Sequence, residues 1–141
     1  MATEFDSKKF GTFLSIPFTL TNATTGNSNT DLTIGGGAGT LFCAPSDGSI
    51  VGISAVTAAI TAGTITLTPH AASTEYAVAG TPTAALSSSY DTNGTYGTTY
   101  PGLVTFAAGD TLGISATTTT TLNPTNTLDV DAYLFIQLDP A

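Results

Sequence analysis

Residues 128–141 read LDVDAYLFIQLDPA, and two acids, Asp129 and Asp131, stand two apart in a run whose apolar residues also recur at every second position. On a strand, side chains two apart share a face with about 7 Å between them. At that separation two carboxylates can form a catalytic pair, share a cation, or wet the outer side of a sheet. Retaining glycosidases hold their carboxyls about 5–5.5 Å apart and inverting ones hold them farther apart, so spacing alone leaves hydrolysis open. Sugar clefts of β-sandwich hydrolases are lined by several aromatics, however, and this chain has no tryptophan. Calcium needs about six to eight oxygens from a dense ligand cluster. DVD offers two carboxylates and SDGS at 46–49 one more, from a distant part of the chain; an unchanged melting temperature under chelation would exclude a bound ion.

Other reactive types are sparse. His70, in TPHAAS, is the sole histidine, so a centre of several imidazoles is excluded and any Ser-His-Asp relay would have to use this ring. No G-x-S-x-G elbow accompanies it, and it reads as a loop histidine. Cys43, inside the apolar run LFCA, reads as a small buried hydrophobe, and a single cysteine excludes an intramolecular disulfide framework. GGGAG at 35–39 has neither the lysine nor the following helix of a phosphate-binding loop and reads as a flexible connection. The triplets NAT at 22–24 and NGT at 93–95 are expected by chance in a chain this rich in Asn and Thr. The expectation is a protein that is not an enzyme and has no cofactor and no metal site.

The elements that position these residues follow from periodicity. Residues 128–138 keep a period of two, with Leu128, Val130, Ala132, Leu134, Ile136 and Leu138 on one side and Asp129, Asp131, Tyr133, Phe135 and Gln137 on the other. TFLSIPFTLT at 12–21 alternates likewise, although Pro17 removes a ladder donor and points to an edge or a bulge. Further strands are expected at 40–44, 49–58, 64–68, 73–80, 103–107 and 111–116, separated by turn formers such as PSDG and the tight turn Gly109-Asp110. Residues 81–102 read as a long excursion carrying Tyr90, Tyr96 and Tyr100, with Asn93-Gly94 as a tight-turn signal. Loops of that length tend to be functional or disordered, and these tyrosines read either as a possible ligand loop or as local packing that fixes the excursion. No stretch sustains helical spacing. The count of about eight strands predicts an all-β, antiparallel β-sandwich of jelly-roll-like form. An extended N-terminal arm is expected over residues 1–10 and a single sandwich domain over 11–141.

Composition narrows the partners. Thirty of the 141 residues are threonine, a β-branched type suited to a half-exposed pleated surface. Charged residues make up only 9%, against about a quarter in typical domains. Ten acids oppose two lysines, Lys8 and Lys9, for a net charge of −8, so the basic footprint of a nucleic-acid binder is missing. No apolar run reaches the length of a membrane helix and the opening residues lack a secretory layout. The chain is therefore expected to be made in a cytoplasm, with no nucleic acid and no membrane as partner. Phe135 and Tyr133 lie opposite the six-residue apolar row. They would be wet in a monomer, so a covering partner is expected, either a neighbouring subunit or the arm.

A short charged arm, Thr/Ser/Gly-rich strands, the unit FAAGDTLGIS and a clean last strand together resemble the small jelly-roll domains of tailed-bacteriophage virions, particularly capsid decoration (cement) proteins and fibre heads, across residues 11–139. The resemblance implies a homotrimer on the capsid exterior whose arm reaches the major capsid protein. Phe5, Lys8, Lys9 and Phe10 then stand in the arm's place, with Tyr133 and Phe135 as further capsid or subunit contacts. The near absence of cations departs from electrostatic docking onto an acidic shell. The alternative is a receptor- or carbohydrate-binding head or tail fibre domain, with Tyr90, Tyr96 and Tyr100 at the contact.

Overall fold

A computed structural model describes residues 12–35, 37–71, 81–87, 94–99 and 103–140. Within them the chain forms the strands β1 (Thr12–Ala23), β2 (Thr30–Asp31), β3 (Thr33–Ile34), β4 (Phe42–Cys43), β5 (Gly48–Thr57), β6 (Thr64–His70), β7 (Ala84–Ser87), β8 (Gly94–Thr98), β9 (Val104–Phe106), β10 (Thr111–Thr118) and β11 (Leu128–Leu138). One sheet runs β3-β1-β11-β5-β8, with β9 also paired to β5; the other runs β2-β10-β6-β7, with β4 also paired to β10. All these pairings are antiparallel. The fold is the expected antiparallel β-sandwich, and the chain passes from sheet to sheet between β9, β10 and β11.

The inner faces pack as the alternation dictates. Val130, Ala132, Leu134 and Ile136 of β11 are buried beside Ile16 and Phe18 of β1 and Ile53 and Ala55 of β5. In the second sheet, Ile65, Leu67, Leu112, Ile114 and Ala116 are buried in the same core. Each large aliphatic side chain so enclosed contributes roughly 1.5–3 kcal/mol relative to exposure.

Both open sides of the sandwich are stitched. Residues 30–34 begin in the second sheet as β2 and end in the first as β3, and between them Leu32 is fully buried and donates its N–H to the Ile114 carbonyl at 2.9 Å. On the other side β8 runs against the segment entering β7, so closely that a Cβ at Gly97 would lie 2.2 Å from the Thr83 carbonyl oxygen. Threonine hydroxyls pin the loops. Thr117 Oγ1 accepts from Asn29 N at 3.2 Å, Thr118 Oγ1 from Asn27 N at 2.9 Å, and Thr119 Oγ1 from Thr64 N at 3.0 Å.

Several expectations change. The stretch 81–102 contains two strands, β7 and β8, where an irregular excursion was expected. AALS is only four residues long and GTYGT is glycine-bearing, so neither carries a legible apolar period, and ladder partners in β6 and β5 hold them extended. The described residues alone form eleven strands, three of them two residues long, where about eight were expected. Pro17 faces β11 through Tyr133, while its carbonyl accepts from Gly35 N at 3.0 Å on the β3 side. Because a strand residue turns its N–H and C=O to the same side, its missing donor removes no bond to β11. The Gly109 turn is present, with φ +87° and Asp110 Oδ2 accepting from Ala107 N at 2.9 Å. The arm, the 73–80 strand and Asn93 lie outside the described residues.

Candidate functional site

The aspartates of β11 separate in role. Beside Asp129, the β1–β11 register shifts between Leu20 and Ala23, and Asn22 takes a positive φ of 53°. Asp129 Oδ1 accepts the Asn22 N–H at 3.0 Å, so this carboxylate satisfies a donor freed by the bulge. Asp131 is flanked across the ladder by Thr19 and Val56 and is exposed. Asp47 is not near them. The Gly48 that follows it pairs with Leu138, nine residues along β11 from Asp129, or roughly 30 Å of strand. The three acids weighed for calcium are thus at opposite ends of one sheet, and among the described residues no group of three or more His, Cys, Asp or Glu is gathered to hold a metal.

His70 ends β6 and is buried, where a loop position was expected. Its ring lies across Gly113 of β10; a Cβ there would be 2.8 Å from Cε1, so glycine is what admits the imidazole. Nε2 faces Asp31 Oδ1 at 3.6 Å, and neither atom has a hydrogen-bond partner among the described residues. Ser115, next along the same face, donates its hydroxyl to the Thr68 carbonyl at 3.5 Å. Cys43 is exposed, contrary to the buried reading, because β4 pairs with the rim of β10 and Phe42, of opposite parity, takes the partly buried position against the core.

The concentrated feature is the outer face of the first sheet. Phe13, Val56, Tyr96, Tyr133 and Phe135 all lie on it, five of the seven exposed large apolar or aromatic side chains among the described residues. Register explains the grouping. Tyr133 is paired with Pro17 on one side and Ser54 on the other, and Ser54 is paired in turn with Tyr96. Directly opposed residues share a face, so one row reads Pro17, Tyr133, Ser54, Tyr96 across four strands. Tyr133 and Tyr96 stand on alternate strands, about 10 Å apart. The neighbouring row reads Ser15, Phe135, Gly52, Thr98. The Phe135 ring leans over Gly52, with Cδ2 3.4 Å from where a Cβ would sit, which holds its exposure to 37% while Tyr96 reaches 77%. Asp131 borders these rows as the acid on the face that no described residue engages.

Tyr96 therefore belongs to a strand and to the surface of Tyr133 and Phe135, not to a separate loop. Tyr90 and Tyr100, with Phe5, Lys8, Lys9 and Phe10, lie outside the described residues. Sequence reading missed Phe13 and Val56, although Phe13 has the parity opposite to Leu14, Ile16 and Phe18 and could have been found by it. Compared with protein-family models and with curated proteins, the chain matches none, so the functional reading rests on this face.

Proposed function

We propose that this chain is a non-enzymatic virion structural protein that binds the outside of a bacteriophage capsid and stabilises it by bridging subunits, acting as a homotrimer. The observation that carries the reading is the aromatic face of Phe13, Tyr96, Tyr133 and Phe135 on a domain whose apolar core is otherwise enclosed. Contiguous exposed aromatics of this kind mark protein contacts. The resemblance of the Thr/Ser/Gly-rich strands and the FAAGDTLGIS unit to capsid decoration domains supplies the assembly in which such a contact would serve, a trimer seated on the major capsid protein. Affinity per copy can be modest, since many copies on one shell act together. Capsids assembled without this protein are expected to release DNA at a lower temperature than complete ones, and purified protein added back restores the difference. Failure of the added protein to bind shells overturns the reading.

A second reading, a carbohydrate-binding fibre head, is favoured by one observation. Tyr96 and Tyr133, exposed 77% and 46%, flank Ser54 on the outer sheet face, and aromatic rings with adjacent hydrogen-bonding groups suit a sugar platform. Under it, Tyr96→Ala is expected to abolish binding on a glycan array that the wild-type protein labels. A blank array for the wild type removes this alternative.

A further inference from the structure

We infer that the outer face of the first sheet is covered by residues 1–10 of a second copy of this chain, with Lys8 and Lys9 at Asp131 and the rings of Phe5 and Phe10 against Tyr133 and Phe135. The inference rests on the reading of this face as an assembly contact and names its occupant.

Charge selects the occupant first. A partner that covers Tyr133 and Phe135 also covers the neighbouring Asp131, and enclosing a carboxylate without a cation is strongly unfavourable. From residue 10 onward the chain has no lysine or arginine, and its one histidine is buried in the other sheet against Asp31. Two copies packed face to face would therefore bring acid against acid. Lys8 and Lys9 are the only basic side chains of lysine or arginine type in a chain of net charge −8, and Phe5 and Phe10 bracket them. The arm thus pairs the cations that the face lacks with rings that can pack on the aromatics it has, while its acids, Glu4 and Asp6, stand apart from the Lys8-Lys9 pair.

Reach then separates a copy's own arm from a neighbour's. β1 starts at Thr12, opposite Leu138, at one end of the face, whereas Asp131 is opposite Thr19. Lys8 precedes Thr12 by four residues, at most roughly 14 Å of extended chain. From Thr12 to Thr19 is seven residues of β1, roughly 24 Å. An arm folding back over its own sheet must also spend residues on the reversal, which leaves its lysines short of Asp131. The acids within its own reach are Asp139, beside Thr12, and Asp47, whose carbonyl accepts the Asp139 N–H at 2.8 Å. An arm running straight on from β1 leaves the rim of the face toward a neighbour. Arm-to-face contacts of this head-to-tail kind close into a ring when the rotation allows, which suits the proposed trimer.

Sedimentation velocity on the full-length chain tests this. The wild type is expected to self-associate at micromolar concentration. Lys8→Glu with Lys9→Glu is expected to weaken association at least about tenfold, and adding Asp131→Lys to that double variant is expected to restore it. A monomeric wild type overturns the inference, as does an unchanged Lys8→Glu/Lys9→Glu variant. Restoration by Asp139→Lys instead of Asp131→Lys also overturns it, because the lysines would then be seated at Asp139 and not on the aromatic face. Asp131 is exposed and without a described partner, so its reversal should leave the fold intact, which a thermal melt verifies. A wild type that binds and stabilises shells as a monomer removes arm exchange but keeps the capsid reading. A wild type that exchanges arms yet does not bind shells does the reverse.

Discussion

Leu134→Ala is expected to lower the free energy of unfolding by about 2–5 kcal/mol. Leu134 is fully buried on β11, the middle strand of the order β3-β1-β11-β5-β8, and it stands opposite Ile16 and Ile53, which are buried as well. Truncation removes the transfer energy of the lost atoms and leaves a cavity that two paired strands cannot collapse to fill. In urea the midpoint should fall with the slope unchanged, the mark of lost stability rather than a changed denatured state. A loss under about 1 kcal/mol would mean that β11 is not the centre of the core.

The neighbouring residue should behave in the opposite way. Tyr133→Ser with Phe135→Ser is expected to change stability by less than about 1 kcal/mol, as surface substitutions usually do. It is expected to weaken docking at this face by about thirtyfold or more, the scale of aromatic hot spots that lose about 2 kcal/mol or more. Both side chains are exposed, at 46% and 37%, so most of their apolar area is free to be buried by a partner rather than by the fold. Part of the Phe135 ring already shields Gly52, so a small loss of strand stability accompanies its removal. Titration of shells with the variant, alongside sedimentation of the variant alone, separates loss of shell contact from loss of self-association. Wild-type behaviour in both assays would dismiss this face as a contact. The contrast between residues 134 and 135 follows from the pleat: adjacent side chains enter different solvents.

How far this could be read in advance depends on the range of the interaction concerned. β11 is observed over Leu128–Leu138, the span its alternation predicts, and β1 begins at Thr12 as expected. The Gly109-Asp110 turn was legible because a positive φ and an Asp side chain accepting from a nearby backbone N–H are local matters. β7 and β8 were not legible, since Ala84–Ser87 is too short to show a period and Gly94–Thr98 is made of glycines and hydroxyl-bearing residues. The burial of His70 was also hidden, because it depends on Gly113 making room 43 residues later in the chain.

The sequence by itself determined the strand character, the inward and outward parity of β11, the shortage of cations and their confinement to Lys8 and Lys9. Each of these is a property of composition or of neighbouring residues. Only the tertiary structure decided that Tyr96 faces Ser54, and through it shares a surface with Tyr133, and that Asp129 serves a bulge while Asp131 does not. Those outcomes depend on which strands lie side by side and in what register. A slip of one residue turns every side chain of a strand to the opposite face, and that choice is made by the packing of the whole core rather than by any one segment.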